Sequence, residues 1–569
     1  MTASSGSSST PKLGGLMSGF DTQNIIDQLL AVERQEIEAL KETQEINQAK
    51  IDTWKDVAEQ LKSLAESVQQ LRAGGTIGFT LFDDKKVSST TATVATASAT
   101  SSAIVAEHSI TVTTLARAHV AYGAQKASGY TLPASGSIIM NGTTINLTAG
   151  DTLEDIAASI SNASYLTGEE LTATVIDNRL VVQTANMGAS SEIYGTSNAG
   201  SKPFDNEVDD PDDILEVELG FITSAGDLEN VSQTSADSSF TVDGIPITRT
   251  SNTISDVIEG VTFSMLTTGS TTLKINYNTD EIKETITEFV DLYNETRDFI
   301  NRTRNAKLNE DDEFGLFFSD SLLRELFNDV RSLTTSGIKM GGSDWDGTVQ
   351  LSAAGTAGDK TLSLNGFSNP TGTLSAGDSF TIGSDSTIYT VLNDAAIAGN
   401  AATVDIQPPL AADTASGTSV RVVIRTLEDI GVGVRTDTVS GVEGVLGILD
   451  EDALDSMLAT NVPLIKLLFT RNDTNEDSQG VARRLYSWID QQTKISVYEA
   501  TTRSIDDVKI PGIEEINTRI DDQITRLEER LAKREEMLIK QFSEMENALA
   551  RAQSAGAAIA GLSGQQQSQ

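Results

Sequence analysis

The sequence of 569 residues contains no cysteine. This absence excludes disulfide bonds, thiolate metal sites and a cysteine nucleophile. Histidine is scarce as well: His108 and His119 flank the strand-like segment ITVTTLARA, and no H-E-x-x-H helix accompanies them. Histidines in such strands are more often structural than metal ligands or general bases. We therefore predict no metal ion and no cofactor.

Positive charge and long hydrophobic runs are also missing. Lys and Arg number 41 against 82 Asp and Glu, which gives a formal net charge of -41. So negative a field repels phosphate backbones and anionic lipids. No run reaches the ~18 apolar residues of a membrane span, and the start, MTASSGSSSTPKL, lacks the basic and then apolar pattern of a secretory signal. We expect no nucleic-acid binding, no membrane insertion and, for an exported protein, a route other than general secretion.

Motifs of catalysis are absent too. The sequence has neither a G-x-S-x-G elbow nor a G-x-x-x-x-G-K-[ST] phosphate loop, so we predict no catalytic residue and no enzyme. One acidic segment, residues 205–218, partly follows the spacing of a calcium loop at Asp205, Glu207, Asp209 and Glu216. Asp210 stands where that loop needs glycine, and Pro211 follows it. A solvated acidic loop is favoured here, with a calcium site as the alternative.

What the sequence does have is a long amphipathic helix near its start. From Asp21, a predicted N-cap, apolar residues recur three or four apart up to the stop at Gly74 and Gly75. The predicted interface positions in the first part of this helix are Ile25, Ile26, Leu29, Leu30, Ile37 and Leu40. Gln44 and Asn47 lie on the same stripe, where polar groups cost stability but fix the register of a coiled coil.

A second helix of this kind is predicted for residues 510–553. Its heptad a and d positions are Ile520, Ile524, Leu527, Leu531, Leu538 and Met545, with Arg534 and Gln541 as polar interruptions. Two seams without a local partner at opposite ends of a chain suggest that they meet, within one chain or between copies. The alternative is two independent surface helices on separate cores.

Between the helices, Thr, Ser, Gly, Val and Ile dominate short alternating runs typical of strands. Residues 137–160 predict a hairpin turning at Asn141-Gly142, followed by a short helix capped by Asp151 and Glu154. Residues 239–261 predict a second hairpin-plus-helix unit. Helical patterns return at 280–305, 319–335 and 450–470. The fold class is therefore α+β multidomain, with a coiled-coil leg, a helical middle domain and strand-rich outer domains built on discontinuous segments.

The predicted domains follow from these changes of pattern. They are a leg (1–45 and 506–569), a helical middle domain (46–75, 280–340 and 425–505), a strand-rich outer domain (76–132 and 223–279), a strand-rich outermost domain with the hairpin-helix unit (133–222), and an inserted strand-rich domain (341–424).

Several segments resemble one known family. GLMSGFDTQNIIDQLLAVER resembles the start of flagellar filament cap proteins, the flagellar hook-associated protein 2 family, and residues 136–184 resemble a repeat of flagellin and hook-associated proteins. FTVDGIPITRTSNTISDVIEGVTF, FVDLYNETRDFI, LGILDEDALDSMLATNVPLIKLLF and EEMLIKQFSEMENALARAQSAGAAIAGL follow in family order. Residues 341–424 depart from the family, because their flanking segments lie close together in shorter relatives.

The resemblance implies a flagellar capping protein at the filament tip, outside the bacterial cell. It implies a ring homo-oligomer, with a pentamer as the expected size, that promotes folding and insertion of exported flagellin. Further implied partners are hook-filament junction proteins and an export chaperone at the C-terminal helix. Export would use the flagellar type III system without a cleaved signal peptide. The alternative function is an extracellular adhesin or carbohydrate-binding surface protein, for which Trp345 is the obvious aromatic candidate.

Overall fold

A computed structural model describes residues 21–72, 81–195, 214–307, 315–318, 320–339, 348–435, 444–473, 476–493 and 504–565. The chain divides into two compact units. A strand-rich unit spans residues 79–281, and a helical unit combines residues 1–78 with 282–569. This α+β arrangement with long terminal helices confirms the predicted fold class.

The strand-rich unit contains a series of short strands and one helix of nine residues. In chain order these are β1 (Lys85–Ser89), β2 (Ala95–Ala99), β3 (Ala106–Thr114), β4 (Val120–Tyr122), β5 (Gly136–Met140), β6 (Thr143–Leu147), α2 (Leu153–Ser161), β7 (Leu171–Ile176), β8 (Arg179–Thr184), β9 (Val231–Gln233), β10 (Ser238–Val242), β11 (Ile245–Arg249), β12 (Thr253–Ile258), β13 (Val261–Met265) and β14 (Gly269–Tyr277).

Two antiparallel sheets of this unit form a β-sandwich. The larger sheet has the order β1-β14-β3-β10-β11, and the smaller has the order β12-β13-β2. Alternate residues of β10 and β13 point into the core, where Phe240 and Phe263 meet edge to face at 5.7 Å between ring centroids. Such alternation is what a sheet with one buried face requires. The sandwich therefore has its own hydrophobic core.

A separate sheet with the order β7-β8-β4-β9, together with the β5-β6 hairpin and α2, forms a second part of the unit. Its core includes Ile145, Ile156 and Val182. Strands β4 and β9 belong to this sheet, so the sheet includes residues before 133 and after 222, the predicted domain limits. The predicted cap of α2 is also wrong: Thr152 and Asp155 form the capping box.

The hairpin turns of this unit follow the prediction. Asn141 and Gly142 have positive φ angles of 44° and 71°, which suit a two-residue turn. The helix predicted after the second hairpin is wrong, because Thr253–Ile258 forms β12 and pairs with β13. β-branched residues favour a strand there, and its Ile254 and Ile258 are buried in the core of the sandwich.

Besides the sheet of residues 348–424 described below, the helical unit contains seven α-helices and one antiparallel pair of strands in the described ranges. They are α1 (Thr22–Leu71), α3 (Thr279–Asn305), α4 (Ser321–Thr335), α5 (Glu451–Thr460), α6 (Val462–Thr470), α7 (Val481–Thr493) and α8 (Ile510–Gln565), with β23 (Val432–Arg435) and β24 (Val445–Ile448).

Helices α3 and α4 lie where the sequence predicted them, and two differences stand out. The predicted helix 450–470 is divided at Asn461 into α5 and α6, since Pro463 occupies the first turn of α6. Helix α7 was not predicted, although Val481, Leu485 and Ile489 recur four apart. In the described ranges, no helix has both the length and the hydropathy of a membrane span.

Residues 348–424, within the predicted insert, form one eight-stranded antiparallel sheet. Its strands are β15 (Gln350–Leu351), β16 (Thr361–Asn365), β17 (Thr371–Leu374), β18 (Ser379–Ile382), β19 (Tyr389–Val391), β20 (Ala395–Ala398), β21 (Ala401–Gln407) and β22 (Val420–Val422). The sheet has its own core around Phe380 and Tyr389. A buried ion pair between Asp378 and Arg471 joins it to the residue that follows α6.

Candidate assembly site: the terminal helix pair

The long terminal helices α1 and α8 lie side by side in opposite directions. Glu33 pairs with Arg534, Glu36 with Arg530, and Gln44 with Asp521, so rising numbers on α1 meet falling numbers on α8. The start of α1 is fixed by the predicted cap, since the Asn24 N–H donates to Asp21 Oδ1 at 3.1 Å. The two seams predicted from sequence therefore meet within one chain.

The apolar contact between these helices centres on three buried residues, Ile37, Ile520 and Ile524. Three partly buried residues, Leu40, Leu527 and Leu531, pack against them. We call these six residues the leg seam. All six were predicted interface positions. Ile26 and Leu30, nearer the start of α1, are buried as well.

A polar layer borders the leg seam. Asn47 Nδ2 donates to Asn517 Oδ1 at 2.8 Å, and Gln44 Nε2 donates to Asp521 Oδ1 at 2.6 Å. Asn47 is 8% exposed, so its amide depends on this partner. A polar pair inside an apolar seam disfavours other registers, because a shifted helix would leave the amides unpaired. Asn517 and Asp521 were not predicted as partners. The signal for them would have been two polar residues one turn apart in the heptad pattern of the C-terminal helix.

The remaining predicted positions lie at the margin of the pair. Ile25 and Leu538 are partly buried. Leu29 is 51% exposed and Met545 is 48% exposed, so within a single chain both lie outside the contact. The predicted interruption Gln541 is also exposed, whereas Arg534 Nε reaches Glu33 at 3.2 Å. An exposed pair of this kind contributes little stability.

The second half of α1 has a different environment. Lys62 pairs with Asp506 at 2.6 Å, and Trp54 packs edge to face on Phe317 at 5.6 Å. Its apolar residues from Ile51 to Leu71 are buried against the helical unit. The predicted apolar stripe of α1 therefore packs against α8 in its first half and against the bundle of the helical unit in its second half.

The two histidines lie in the strand-rich unit. The Asp243 carboxylate accepts hydrogen bonds from the His108 ring at 2.8 Å and from the Ser109 N–H, and these bonds lower the pKa of Asp243. His119 Nδ1 accepts the Ile193 N–H at 3.0 Å. Burial lowers the pKa of His119, and Glu192 partly opposes that effect. Both rings therefore have structural partners.

No cluster of three potential metal ligands occurs among the described residues. Most of the acidic segment weighed as a calcium loop, residues 205–213, lies outside the described ranges, as does Trp345.

Two family models match this sequence. The model described as the flagellar hook-associated protein 2 C-terminus matches residues 235–366 and 387–554, together more than half of the chain. The model described as the N-terminus of the same protein matches residues 18–119. The C-terminal match enters the predicted insert from both sides and leaves out residues 367–386.

Individual relatives agree with the family models. The A-type flagellar hook-associated protein 2 of Pseudomonas aeruginosa is 26% identical over 372 residues, which cover 60% of this chain and 76% of the relative. The B-type protein from strain PAO1 of that species is 28% identical over 302 residues, which cover 47% of this chain and 59% of the relative. These similarities give the adhesin alternative no support.

Solved structures of the flagellar cap protein FliD are similar to this chain. A structure of three FliD domains from Escherichia coli gives a TM-score of 0.44 at 19% identity, covering 81% of this chain and 99% of that chain. FliD from Pseudomonas aeruginosa PAO1 gives 0.29 at 23% identity, covering 38% of this chain and 99% of that chain. On the family match over more than half of its length, this chain belongs to the flagellar hook-associated protein 2 family, whose members are flagellar cap proteins.

Proposed function

We propose that copies of this chain assemble as a closed ring at the distal tip of the flagellar filament. The ring promotes folding and insertion of exported flagellin subunits. A plate of this kind joins two different surfaces of neighbouring copies, and ring closure ends its growth. We place a first contact between copies in the helical unit, on α3, α4, α5 and α6, and a pentamer is the expected size.

The paired terminal helices serve as the leg that docks each copy on the filament. The observation that carries this proposal is the leg seam with its polar layer, in which Asn47 and Gln44 meet Asn517 and Asp521. This contact specifies one antiparallel register for two chain ends that are 470 residues apart in sequence. The exposed Leu29 and Met545 then supply apolar surface toward neighbouring subunits.

The other partners follow from membership of the family. We propose that the protein leaves the cell through the flagellar type III system without a cleaved signal peptide. An export chaperone binds the C-terminal helix, and the ring contacts hook-filament junction proteins before it reaches flagellin. The protein acts by assembly and performs no catalysis.

The test of the leg is a charge inside the leg seam. Leu527→Asp combined with Leu531→Asp places two carboxylates against the buried Ile37 and Ile524, which costs several kcal/mol because neither carboxylate has a partner there. The matched control is Gln523→Asp with Thr525→Asp, at exposed positions of the same helix. Both variants are introduced into cells that lack the wild-type protein.

The expected result is an exported protein with folded strand domains, flagellin lost into the medium, and stunted filaments. The control variant supports filaments of normal length. Circular dichroism of the secreted protein checks that the strand-rich unit is folded. Filaments of normal length with the seam variant would contradict the proposed leg.

A further inference from the structure

The β-sandwich has an open groove at one end of its two sheets. Strand β11 is the last strand of the larger sheet, and β12 is the last strand of the smaller one. The ion pair between Arg249 and Asp256, at 2.9 Å, joins these strands. Next to Asp256, at Val257 and Ile258, lies a cavity of about 520 Å³, within the ~300–1,000 Å³ typical of binding sites.

The wall of this cavity is mainly aliphatic. Its apolar lining consists of Ile104, Ala106, Ile245, Ile247 and Val257, above the core residues Val242 and Ile258. Ile104 is 71% exposed and Ile245 is 64% exposed, so two large aliphatic side chains stand in solvent beside an accessible core. Exposed apolar surface that is concentrated around a cavity marks an interaction site more often than scattered single residues do.

The rim of the cavity is acidic. Asp243 and Glu259 line it, and Asp243 stays a carboxylate that accepts bonds from His108 and the Ser109 N–H. We call the aliphatic wall and this rim the acidic groove. A suitable occupant has an aliphatic side chain with a cation beside it, because a second carboxylate would be repelled.

The strand-rich unit has several other exposed aliphatic side chains, and two of them stand near acidic residues. Leu166 lies close in sequence to Glu170. Val217 lies between Glu216 and Glu218. Neither suits an acidic groove.

The tip of the β7-β8 hairpin differs. Ile176 there is 58% exposed, and the turn at Asp177 and Asn178 has positive φ angles of 52° and 53°. The Lys126 N–H donates to the Asn178 carbonyl at 2.9 Å, which holds this lysine beside the tip. Arg179 follows, so the tip has an aliphatic side chain with two cations and one carboxylate. In the single chain Arg179 Nη1 donates to the Gly123 carbonyl at 3.3 Å, and the Lys126 ammonium lies 5.5 Å from the Tyr130 ring centroid.

The groove and the tip lie in different parts of the unit. Strand β3 begins at the groove with Ala106 and ends eight residues later at Thr114, roughly 26 Å away at ~3.3 Å per residue. The chain then enters β4, whose partner β8 starts at the hairpin tip. Two complementary surfaces at separate places on one molecule make a head-to-tail contact, which is the kind that a closed ring needs.

We propose that the acidic groove of one copy receives the Ile176 tip of a second copy, with Lys126 of the tip facing Glu259. This contact rests on the proposed ring and adds a second joint to it, in the strand-rich unit. The Ile176 side chain covers the aliphatic wall. The lysine neutralises a rim that would otherwise add to the repulsion between chains of net charge -41.

A charge exchange between copies is the direct test. Glu259→Lys and Lys126→Glu each weaken self-assembly of the full chain about tenfold, and the two changes together restore it. Ile176→Ser and Ile245→Ser also weaken assembly about tenfold, because each removes an aliphatic side chain from the contact. The matched control is Leu266→Ser, another exposed aliphatic residue of the unit, which leaves assembly unchanged. Assembly is followed by light scattering against protein concentration at constant salt.

Several results would overturn this contact. One is a combined Glu259→Lys, Lys126→Glu protein that assembles no better than its parents; another is wild-type assembly by Ile176→Ser. If groove variants alone stunt filaments while Ile176→Ser does not, the groove takes up a different polypeptide and the proposed pairing is wrong. Cells that lack the wild-type protein distinguish the proposed cap from the proposed contact. Failure of the wild-type protein to restore filaments in these cells contradicts the cap. Normal filaments with every groove and tip variant contradict only the contact.

Discussion

In its second half, α1 packs against several partners: Trp54 meets Phe317, Lys62 meets Asp506, and Arg72 lies over the Tyr486 ring at 3.9 Å. Its first half packs against α8, in a seam whose partner residues Ile520 and Ile524 retain 7% and 8% exposure, although Ile26 and Leu30 nearer the start are 2% and 1% exposed. Both halves show the same apolar spacing. Periodicity therefore indicates which face of α1 is buried, and we expect the half that packs against several partners to be the more stable.

A helix pair without further cover is marginal in water, because most helical stability comes from burying the apolar stripe. We therefore expect the first half of α1 and its partner on α8 to form fully only on assembly. The second half belongs to the stable core of the helical unit. The following experiments test this difference in stability between the two halves of α1.

The largest effect is expected in the second half of α1. Trp54→Ala removes a large side chain that is 1% exposed, and such a change costs about 3–5 kcal/mol in the free energy of unfolding. Urea unfolding followed by far-ultraviolet circular dichroism measures it in the transition of the helical unit. The control is Lys55→Ala, at the exposed neighbouring position. A loss of about 2 kcal/mol or less would show that this half is no more tightly packed than the leg seam.

A smaller effect is expected in the first half. Ile37→Ala removes the central residue of the leg seam and costs about 2 kcal/mol, at the low end for such changes because the site has one partner helix. The loss falls on the helix pair and leaves the urea transition of the helical unit in place. Hydrogen exchange of residues 515–531 in the assembled protein reports it, with exposed Glu42→Ala as the control. A shift of the whole helical transition would contradict the division of α1 into two halves.

The polar layer gives an effect of opposite sign. Asn47→Leu together with Asn517→Leu replaces a paired amide couple by apolar side chains, which raises the stability of the helix pair by about 1 kcal/mol and loosens its register. Asn47→Leu alone leaves the Asn517 side chain unpaired and destabilises the pair by about 1–2 kcal/mol. Melting temperature and solution mass measure the two effects. A double variant that keeps one register and one mass would show that the layer has no role in specificity.

The smallest expected effect is a pH dependence of stability, and it is limited to the strand-rich unit. Burial lowers the pKa of His119, so the folded unit binds a proton there less readily than the unfolded chain, whose ordinary value is about 6.5. Stability from neutral His119 is therefore complete above pH ~6.5 and falls as the pH drops below that value. We expect the melting temperature of this unit to fall as the pH is lowered from 7 to 5. We expect His119→Asn to make the melting temperature depend less on pH. An unchanged slope in the variant would contradict this role of the ring.

Local signals predicted local structure well. The Asp21 cap and the turn at Asn141 and Gly142 were read from short patterns, because each depends on neighbours within one turn, whereas the apolar spacing of the leg-seam residues indicated their face of the helix but not whether their partner lay in the same chain. Asp155 was missed as the capping partner of Thr152, since a neighbouring carboxylate, Asp151, fits the same pattern.

Long-range pairing was predicted less well. The helix expected after the second hairpin is β12, because pairing with β13 decides its conformation. In the sheet with the order β7-β8-β4-β9, Ala121 of β4 pairs with Val231 of β9, which lies 110 positions further along the chain (231 − 121). The groove beside β11 could not be predicted either, because it consists of residues that become neighbours only in the folded sandwich.

The most direct test of the two-part account of α1 is amide hydrogen exchange of the full chain, first as a dilute monomer and then on the filament. The account predicts fast exchange in residues 22–45 and 515–552 of the monomer, slow exchange in residues 51–71, and protection of all three segments on the filament. Full protection of residues 22–45 and 515–552 in the dilute monomer would contradict it.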